Sequence, residues 1–261
     1  MDREQYPFLE ERRIVITRAA HQAGGFGHKL EQCGARVFYL PLIRIEPSPN
    51  ARCPESPDRF DWLVVTSVNG VNYLNRCFLD AGQSLRNMTR CRIAAIGKAT
   101  AEALAEHGLR ADVVPERHVA DSLVKELLVA EPSPQGKRVL LAQGDKAGDF
   151  LGGALQLRGM DVTSLVCYEN KDCPPTLEET ASLAAFAPHA VTFFSPSAVK
   201  VFCSAQLPET LAQASPTAIY ASIGPVTTAS MKDAGLAPVI EASRQVEDNL
   251  MEVLNEYFGR K

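Results

Sequence analysis

No apolar run in this chain approaches the roughly 18 residues that a membrane span requires, so none of it reads as a transmembrane helix. The first eleven residues are polar and acidic and do not read as a signal peptide. The seven cysteines (33, 53, 77, 91, 167, 173 and 203) are odd in number and scattered, with no C-x-x-C pair. That argues against a zinc site or a disulfide framework and for a reducing compartment, the cytoplasm. The five histidines (21, 28, 107, 118 and 189) lack metal-ligand spacing, and His107 and His118 read as exposed helix ends. There is no G-x-S-x-G nucleophile elbow and no Walker A phosphate loop. Gly24-Gly25-Phe26-Gly27 stands too far after its strand and lacks the third spaced glycine, which rejects it as a dinucleotide fingerprint. The net charge of −4 points neither to nucleic acid nor to an anionic membrane. Any anionic ligand must be held by local donors. No long exposed apolar stripe calls for an obligate partner, and a monomer is expected.

What the chain does have is a duplication. Arg13–Arg18 (RIVITR) returns as Arg138–Gln143 (RVLLAQ), an offset of about 125 residues. Trp62–Gly70 (WLVVTSVNG) returns as Ala190–Ala198 (AVTFFSPSA), which sets Ser67 on Ser195. Ala95-Ile96-Gly97 returns as Ser222-Ile223-Gly224, and Gly108 falls on Gly235. Solenoid repeats run at roughly 20–50 residues, so this period is that of a domain. The 261 residues, 46% apolar and 22% charged, suit two ordinary globular domains. Two similar domains facing each other form a cleft, a preferred place for a ligand.

Short apolar runs alternate with helical spacing almost throughout. Strands are predicted over residues 13–17, 36–40, 62–66, 92–96, 112–114, 138–142, 161–166, 191–194, 218–222 and 238–240. Most are unbroken Val, Ile, Leu and Phe runs, as in parallel sheets covered on both faces, so an α/β fold is expected. Helices over 99–107 and 226–234 end at Gly108 and Gly235, as glycine-capped helices do. Two segments, 41–49 and 168–175, are polar and Pro-bearing, occupy matching places in the repeats, and read as linkers. The periodicity allows two parses: tandem domains split near residues 131–135, or one continuous domain between the linkers and one assembled from both chain ends.

In open parallel sheets ligands bind outside the carboxyl ends of the strands. The loops there hold Ser67 and Asn69, Gly97-Lys98-Ala99-Thr100, Ser195 and Ser197, and Gly224-Pro225-Val226-Thr227. Two of them share Gly-x-x-Thr at the opening of a helix. The free N–H groups of a helix's first turn attract anions. Four such ends, two per domain, would cradle a polyanion. Ser, Thr, Asn and Gly are also what N-caps use, so for Ser67, Thr100, Ser195 and Thr227 capping and ligand contact stand as equal alternatives.

With these residues in view, the chain resembles the uroporphyrinogen-III synthase family. The resemblance rests on Ile14-Val-Ile-Thr-Arg18, Leu40-Pro-Leu-Ile-Arg-Ile-Glu-Pro47, Val65-Thr-Ser67, Gly97-x-x-Thr100, Ala120-Asp-Ser-Leu123, the Tyr168 segment, Phe193-Phe-Ser-Pro-Ser197 and Ile223-Gly-Pro-x-Thr227. Their order and spacing extend over most of the chain. The resemblance implies two parallel-sheet α/β domains joined by a two-stranded linker, residues 1–43 with 169–261 and residues 44–168, with the substrate cleft between them. It implies hydroxymethylbilane, a linear tetrapyrrole with eight carboxylates, as substrate, and neither metal nor organic cofactor. The terminal hydroxyl leaves, the last pyrrole ring is inverted through a spiro intermediate, and the macrocycle closes. Tyr168 becomes the expected catalytic acid, with a linker tyrosine that only packs as the alternative. Arg18, Ser67, Asn69, Gly97, Lys98, Thr100, Gly144, Ser195, Ser197, Gly224 and Thr227 become expected substrate contacts, while Lys146 reads as solvated surface. Gln143 stands where many relatives carry a basic residue before the glycine. Residues 8–11 receive no role. A competing reading, a non-catalytic polycarboxylate sensor on the same fold, is disfavoured by Tyr168 and by the two Gly-x-x-Thr loops.

Overall fold

A computed structural model describes residues 4–18, 20–54, 57–88, 90–117 and 119–260; His118 lies outside them. In chain order the strands are β1 (Arg13–Ile16), β2 (Arg36–Tyr39), β3 (Ile43–Pro47), β4 (Trp62–Val65), β5 (Arg92–Ala95), β6 (Arg138–Gly144), β7 (Asp161–Asp172), β8 (Ala190–Phe193), β9 (Ile219–Ser222) and β10 (Val239–Glu241). The α-helices are α1 (Ala20–Gln32), α2 (Val68–Asp80), α3 (Lys98–Glu106), α4 (Ala120–Ala130), α5 (Phe150–Gln156), α6 (Leu177–Phe186), α7 (Pro196–Ser204), α8 (Leu207–Ala214), α9 (Pro225–Asp233) and α10 (Glu247–Gly259). The chain divides into two compact units: unit 1, Met1–Arg44 with Lys171–Lys261, and unit 2, Ile45–Asn170.

Unit 1 carries a five-stranded sheet in the order β10-β9-β8-β1-β2, parallel throughout. In unit 2 the order is β3-β7-β6-β4-β5, with β7, β6, β4 and β5 parallel. The unbroken apolar runs are explained by what covers each face. Leu63 and Val65 join the core under α2 and α3, whereas Trp62 and Val64, which alternate with them, join the core under α4 and α5. In unit 1, Ile14 and Ile16 meet α1 and α10, and Val15 meets α7 and α8. A strand residue fully buried on either face contributes about 1.5–3 kcal/mol, so neither face can be polar without loss. Trp62 is the largest fully buried side chain; its indole N–H donates to Glu131 at 3.2 Å and Arg92 lies over its ring.

The two segments read as linkers are largely strand. Residues 43–47 form β3, and β7 continues through Tyr168 to Asp172. The two crossings are sheet neighbours, tied at their ends by Cys173 N–H to the Leu42 carbonyl and Ser48 N–H to the Cys167 carbonyl. Proline is compatible because β3 is an edge strand and Pro47 is its last residue. The strand expected at 112–114 reduces to a single bridge from Val113 to Ala94. Residues 8–11 also acquire a role. Tyr6 and Leu9 are buried against the α1 and α10 core, and Phe8 N–H donates to Asn255 on α10. Gly24 to Gly27 lie inside α1, where the missing Cβ of Gly27 makes room for the Tyr39 hydroxyl.

Gly108 and Gly235 follow α3 and α9 at φ +78° and +75°, the left-handed conformation that ends a helix and that a side chain would strain. One titrating group stands at the amino end of the central strand of unit 1. His189, just before β8, accepts the Arg13 N–H on Nδ1 at 3.0 Å. Burial first, then the charges of Arg13 and Arg12, hold it below its ordinary value of 6.5. As pH falls the unfolded chain takes up this proton first. The contribution is therefore complete above about pH 6.5 and is lost as pH falls through the lower folded value. Urea midpoints should fall with pH below about 6.5, and His189→Asn, which keeps an acceptor but cannot titrate, should show a shallower fall. Equal slopes would remove His189 as the cause.

Candidate active site

In unit 2 the chain passes outward from β4 to β5, then returns to β6 on the other side of β4. At such a reversal the carboxyl ends of the two central strands frame the usual ligand crevice. Three of the expected residues meet there. Ser67 follows β4 and caps α2, its Oγ accepting the Gly70 N–H at 2.9 Å. Gly144 ends β6, and Tyr168 pairs with it from β7. The Tyr168 hydroxyl lies 3.1 Å from Ser67 Oγ.

A β-bulge aims Tyr168 at this point. Gln143 pairs with Val166 and Gly144 with Tyr168, so Cys167 is an extra residue. Side chains of a regular strand alternate faces, yet Leu165, Cys167 and Tyr168 all join the α2 and α3 core. Beyond the bulge, Asp145 N–H donates to the Tyr168 carbonyl at 3.0 Å, and the Asp145 carboxylate accepts the Asn170 backbone and side-chain N–H groups at 3.0 and 2.8 Å. Burial pulls Asp145 upward, but these bonds and the neighbouring Lys146 charge outweigh it and hold the carboxyl below its ordinary value.

Tyr168 is only 9% exposed. A Cβ on Gly144 would stand 2.5–2.8 Å from its ring and hydroxyl, so glycine here is the space in which the ring lies. The Tyr73 ring of α2 packs 5.7 Å from it. Burial is the largest influence on the phenol and raises its pKa above 10; the Ser67 bond pulls back, and Asp145 and Cys167 raise it further. The group is a neutral hydroxyl at any physiological pH.

The adjacent strand end carries the Gly-x-x-Thr loop. Gly97 opens α3 in extended conformation and no side chain caps it. Lys98 is exposed, Asn69 half-buried. Thr100 sits in the first turn, 4% exposed, and among the described residues its hydroxyl has no hydrogen-bond partner. It therefore does not cap the helix. Thr227 of unit 1 repeats this: 4% exposed, in the first turn of α9 behind Gly224, and likewise without a partner among the described residues. Ser195, by contrast, caps α7 by accepting the Ala198 N–H at 3.3 Å, with Ser197 half-buried beside it. The Gln245 side chain lies where a Cβ on Gly224 would be.

Unit 1 reverses direction between β1 and β8. Arg18 follows β1 and stacks over Phe194 at 4.2 Å, with Glu247 of α10 pairing at 3.3 Å. Burial lowers its pKa and Glu247 opposes that. Arg18, Phe194, Ile223, Gln245 and Glu247 line a cavity of 340 Å³, along with Lys29 and its partner Asp248. Arg18 is thus already engaged by a carboxylate. Sequence reasoning passed over Tyr73, Phe194, Gln245 and Glu247. Only the arrival of Phe194 directly before Ser195 could have signalled one of them.

A family model described as uroporphyrinogen-III synthase HemD matches residues 26–252. The chain belongs to that family. It is 31% identical to the uroporphyrinogen-III synthase of Synechococcus elongatus, over 94% of each chain, and 29% identical to that of Chlorobaculum parvum, over 85% of this chain and 89% of the other. Its fold is that of the Helicobacter pylori uroporphyrinogen-III synthetase structure, with a TM-score of 0.64 at 20% identity, 94% of this chain and 99% of that one being covered. The Thermus thermophilus synthase, as a mutant crystal structure, gives 0.59 at 21% identity over 96% and 100%. Members of the family are cyclising hydro-lyases of tetrapyrrole biosynthesis, and the enzyme reading is borne out. None of these likenesses supports the sensor.

The family member's own geometry yields one test. The Tyr168 ring is held between Gly144, Ser67 and Tyr73, so a Cβ at 144 cannot be absorbed by a small side-chain shift. Gly144→Ala should destabilise unit 2 by about 1–3 kcal/mol, the usual cost of overpacking, and reduce activity at the same time. Urea unfolding alongside steady-state rates would check this; an unchanged midpoint would mean that the ring has room to move.

Proposed function

We propose that the chain closes hydroxymethylbilane into uroporphyrinogen III, with Tyr168 donating to the hydroxyl that leaves. The observation that carries the reading is the buried, neutral Tyr168 phenol held 3.1 Å from Ser67 at the switch point of unit 2. Proton donation to the departing hydroxyl releases water and leaves an electron-poor methylene on the terminal pyrrole. The substituted α carbon of the last ring attacks it to give a spiro intermediate; the bond from that carbon to its original bridging methylene breaks, the methylene bonds the ring's free α carbon instead, and the proton lost from that carbon balances the one supplied. No bond to the protein is needed.

The eight substrate carboxylates call for many dispersed donors. The openings of α2 and α3 in unit 2 and of α7 and α9 in unit 1 offer free backbone N–H groups, each worth about 0.3–1 kcal/mol to an exposed anion. Thr100 and Thr227 add hydroxyls that no described group engages, and Lys98 adds an exposed charge. Arg18 meets a carboxylate only in exchange for Glu247. Gly144 serves through the space it leaves for Tyr168. We place the protein in the cytoplasm as a monomer. None of its seven cysteines is joined in a disulfide, and none of its described helices is long and apolar enough to cross a membrane.

The deciding experiment is isomer analysis: purified protein and fresh hydroxymethylbilane in chelator, then oxidation and separation of type I from type III uroporphyrin. Type III should dominate; type I alone, at the rate without protein, would overturn the reading. Tyr168→Phe should lower kcat by at most about 10²–10⁴-fold, the span of general-acid assistance, and leave residual type III product. Because the phenol is held above 10, loss of its proton should cause no decline in rate below about pH 10. Thr100→Val and Thr227→Val should each lower kcat/KM roughly 10–100-fold, the worth of a hydrogen bond to a charged group, with melting temperature shifted by no more than a few degrees. Unchanged kcat/KM in either variant would take that threonine out of the site.

A further inference from the structure

Tyr73 plays no part in the chemistry proposed above, yet it contacts the ring on which that chemistry turns. It stands on α2, with Ser67 as the cap of the same helix. Its hydroxyl donates to the Ile45 carbonyl of β3 at 2.6 Å. Its ring lies 5.7 Å from that of Tyr168, tilted by 32°. Tyr73 also walls a cavity of 320 Å³ together with Pro47, Ala51, Cys53, Cys77 and Cys167. The Tyr73 ring thus borders that space and packs against the Tyr168 ring, and Cys167, the residue before Tyr168, borders it too.

The supports of Tyr168 differ in kind. Gly144 sets how close the ring approaches β6, and Ser67 holds the oxygen. Tyr73 packs against the ring itself, and its strap to Ile45 ties α2 to β3, the neighbour of the strand that bears Tyr168.

We infer that Tyr73 is a positioning residue for the reaction: its ring keeps the Tyr168 phenol on Ser67 and keeps water of the adjoining cavity away from it. The inference rests on the reading of Tyr168 as proton donor. A misplacement of about 1 Å at a reacting group can cost on the order of 10²-fold in rate, which sets the scale of the effect. The ionisable groups facing the phenol are Asp145 beyond β6, beside Lys146, Cys167 on β7, and Tyr73 itself on α2. With the Tyr73 ring gone, water reaches the Tyr168 ring and the burial that raises the phenol is relieved.

Tyr73→Leu, Tyr73→Phe and Tyr168→Phe would be compared with the wild type by steady-state kinetics on hydroxymethylbilane and by the titration of ¹³Cζ-labelled tyrosines. The Tyr168 resonance is assigned by its loss in Tyr168→Phe. Tyr73→Leu should lower kcat about 10–100-fold, change KM by less than about threefold, and move the Tyr168 titration to lower pH. Tyr73→Phe keeps the ring and should stay within about threefold of wild-type kcat; a fall as deep as that of the leucine variant would overturn the role of the ring. Wild-type kcat with an unmoved Tyr168 resonance in folded Tyr73→Leu would overturn the inference. Should that variant not fold, Tyr73→Met, whose flexible unbranched side chain fits an irregular gap, takes its place with the same two readouts and the same overturning result. If Tyr168→Phe keeps full kcat, the donor reading fails and takes the inference with it. If Tyr168→Phe is impaired and Tyr73→Leu is not, the inference alone fails.

Discussion

Past Gln143 the ladder between β6 and β7 skips Cys167, and Gly144 pairs with Tyr168. In a regular ladder Cys167 would take that partner and Tyr168 would point to the opposite face, because a shift of one residue reverses every side chain beyond it. The skip puts a large phenol on the side of β7 where α2 begins, beside Ser67. It demands that the facing residue have no Cβ, and Gly144 has none. It is closed by Asp145, whose N–H holds the Tyr168 carbonyl while its carboxylate holds Asn170. Each of these features is stable only because the others are present. Cys167, the extra residue, is buried, and burial pushes its thiol up to about 12, so it acts as an apolar filler.

The duplication shows what this arrangement adds. Ser67 and Ser195 cap equivalent helices, and Thr100 and Thr227 present equivalent hydroxyls without a partner among the described residues. In the function proposed above, these features serve anion binding in both units alike. At the switch points the copies diverge. Where unit 2 has Gln143 and the phenol, unit 1 has Arg18 over Phe194 with a carboxylate already in place. The repeat counterpart of Tyr168 is Ile43, which packs against the α7 and α8 core. The donor proposed above therefore stands where the two copies differ in kind.

Much of the fold could be read from residues alone because burial on both faces leaves an unbroken apolar run, as in Trp62–Val65 and Arg138–Gly144. Gly108 and Gly235 marked helix ends because a positive φ is costly to any other residue. The two crossings were obscured because a polar, proline-bearing sequence satisfies an edge strand as readily as a coil. For the site, residue types pointed to the loops at the carboxyl ends of the strands but not to the contacts each side chain makes there. Ser67 and Thr100 look alike as first-turn hydroxyls, yet one caps its helix and the other, set behind Gly97, has nothing to cap. The bulge leaves no mark in composition, and Tyr73 has none of the motif character that singles out a site residue. Its importance comes from Tyr168, about a hundred positions away in the chain, so only the packed structure shows it.

In the reaction proposed above, the chemistry of the ligand explains why a phenol suits this position. A carboxylic acid buried beside a substrate with eight carboxylates would stay protonated, but it would bind those groups as a second hydrogen-bonding acid wherever they could reach it. An imidazolium would do worse, since its charge would attract a propionate in place of the leaving hydroxyl. Tyr168 is neutral, its ionisation is opposed by burial, and each carboxylate that approaches opposes it further. It keeps its proton, carries no charge for a substrate side chain to neutralise, and offers one hydrogen bond in one direction. Its weakness as an acid is tolerable because the departing hydroxyl is already assisted by an electron-rich pyrrole. What the site must supply is direction, so the ring's fixed seat on Gly144 and Ser67 matters more than the acidity of its proton.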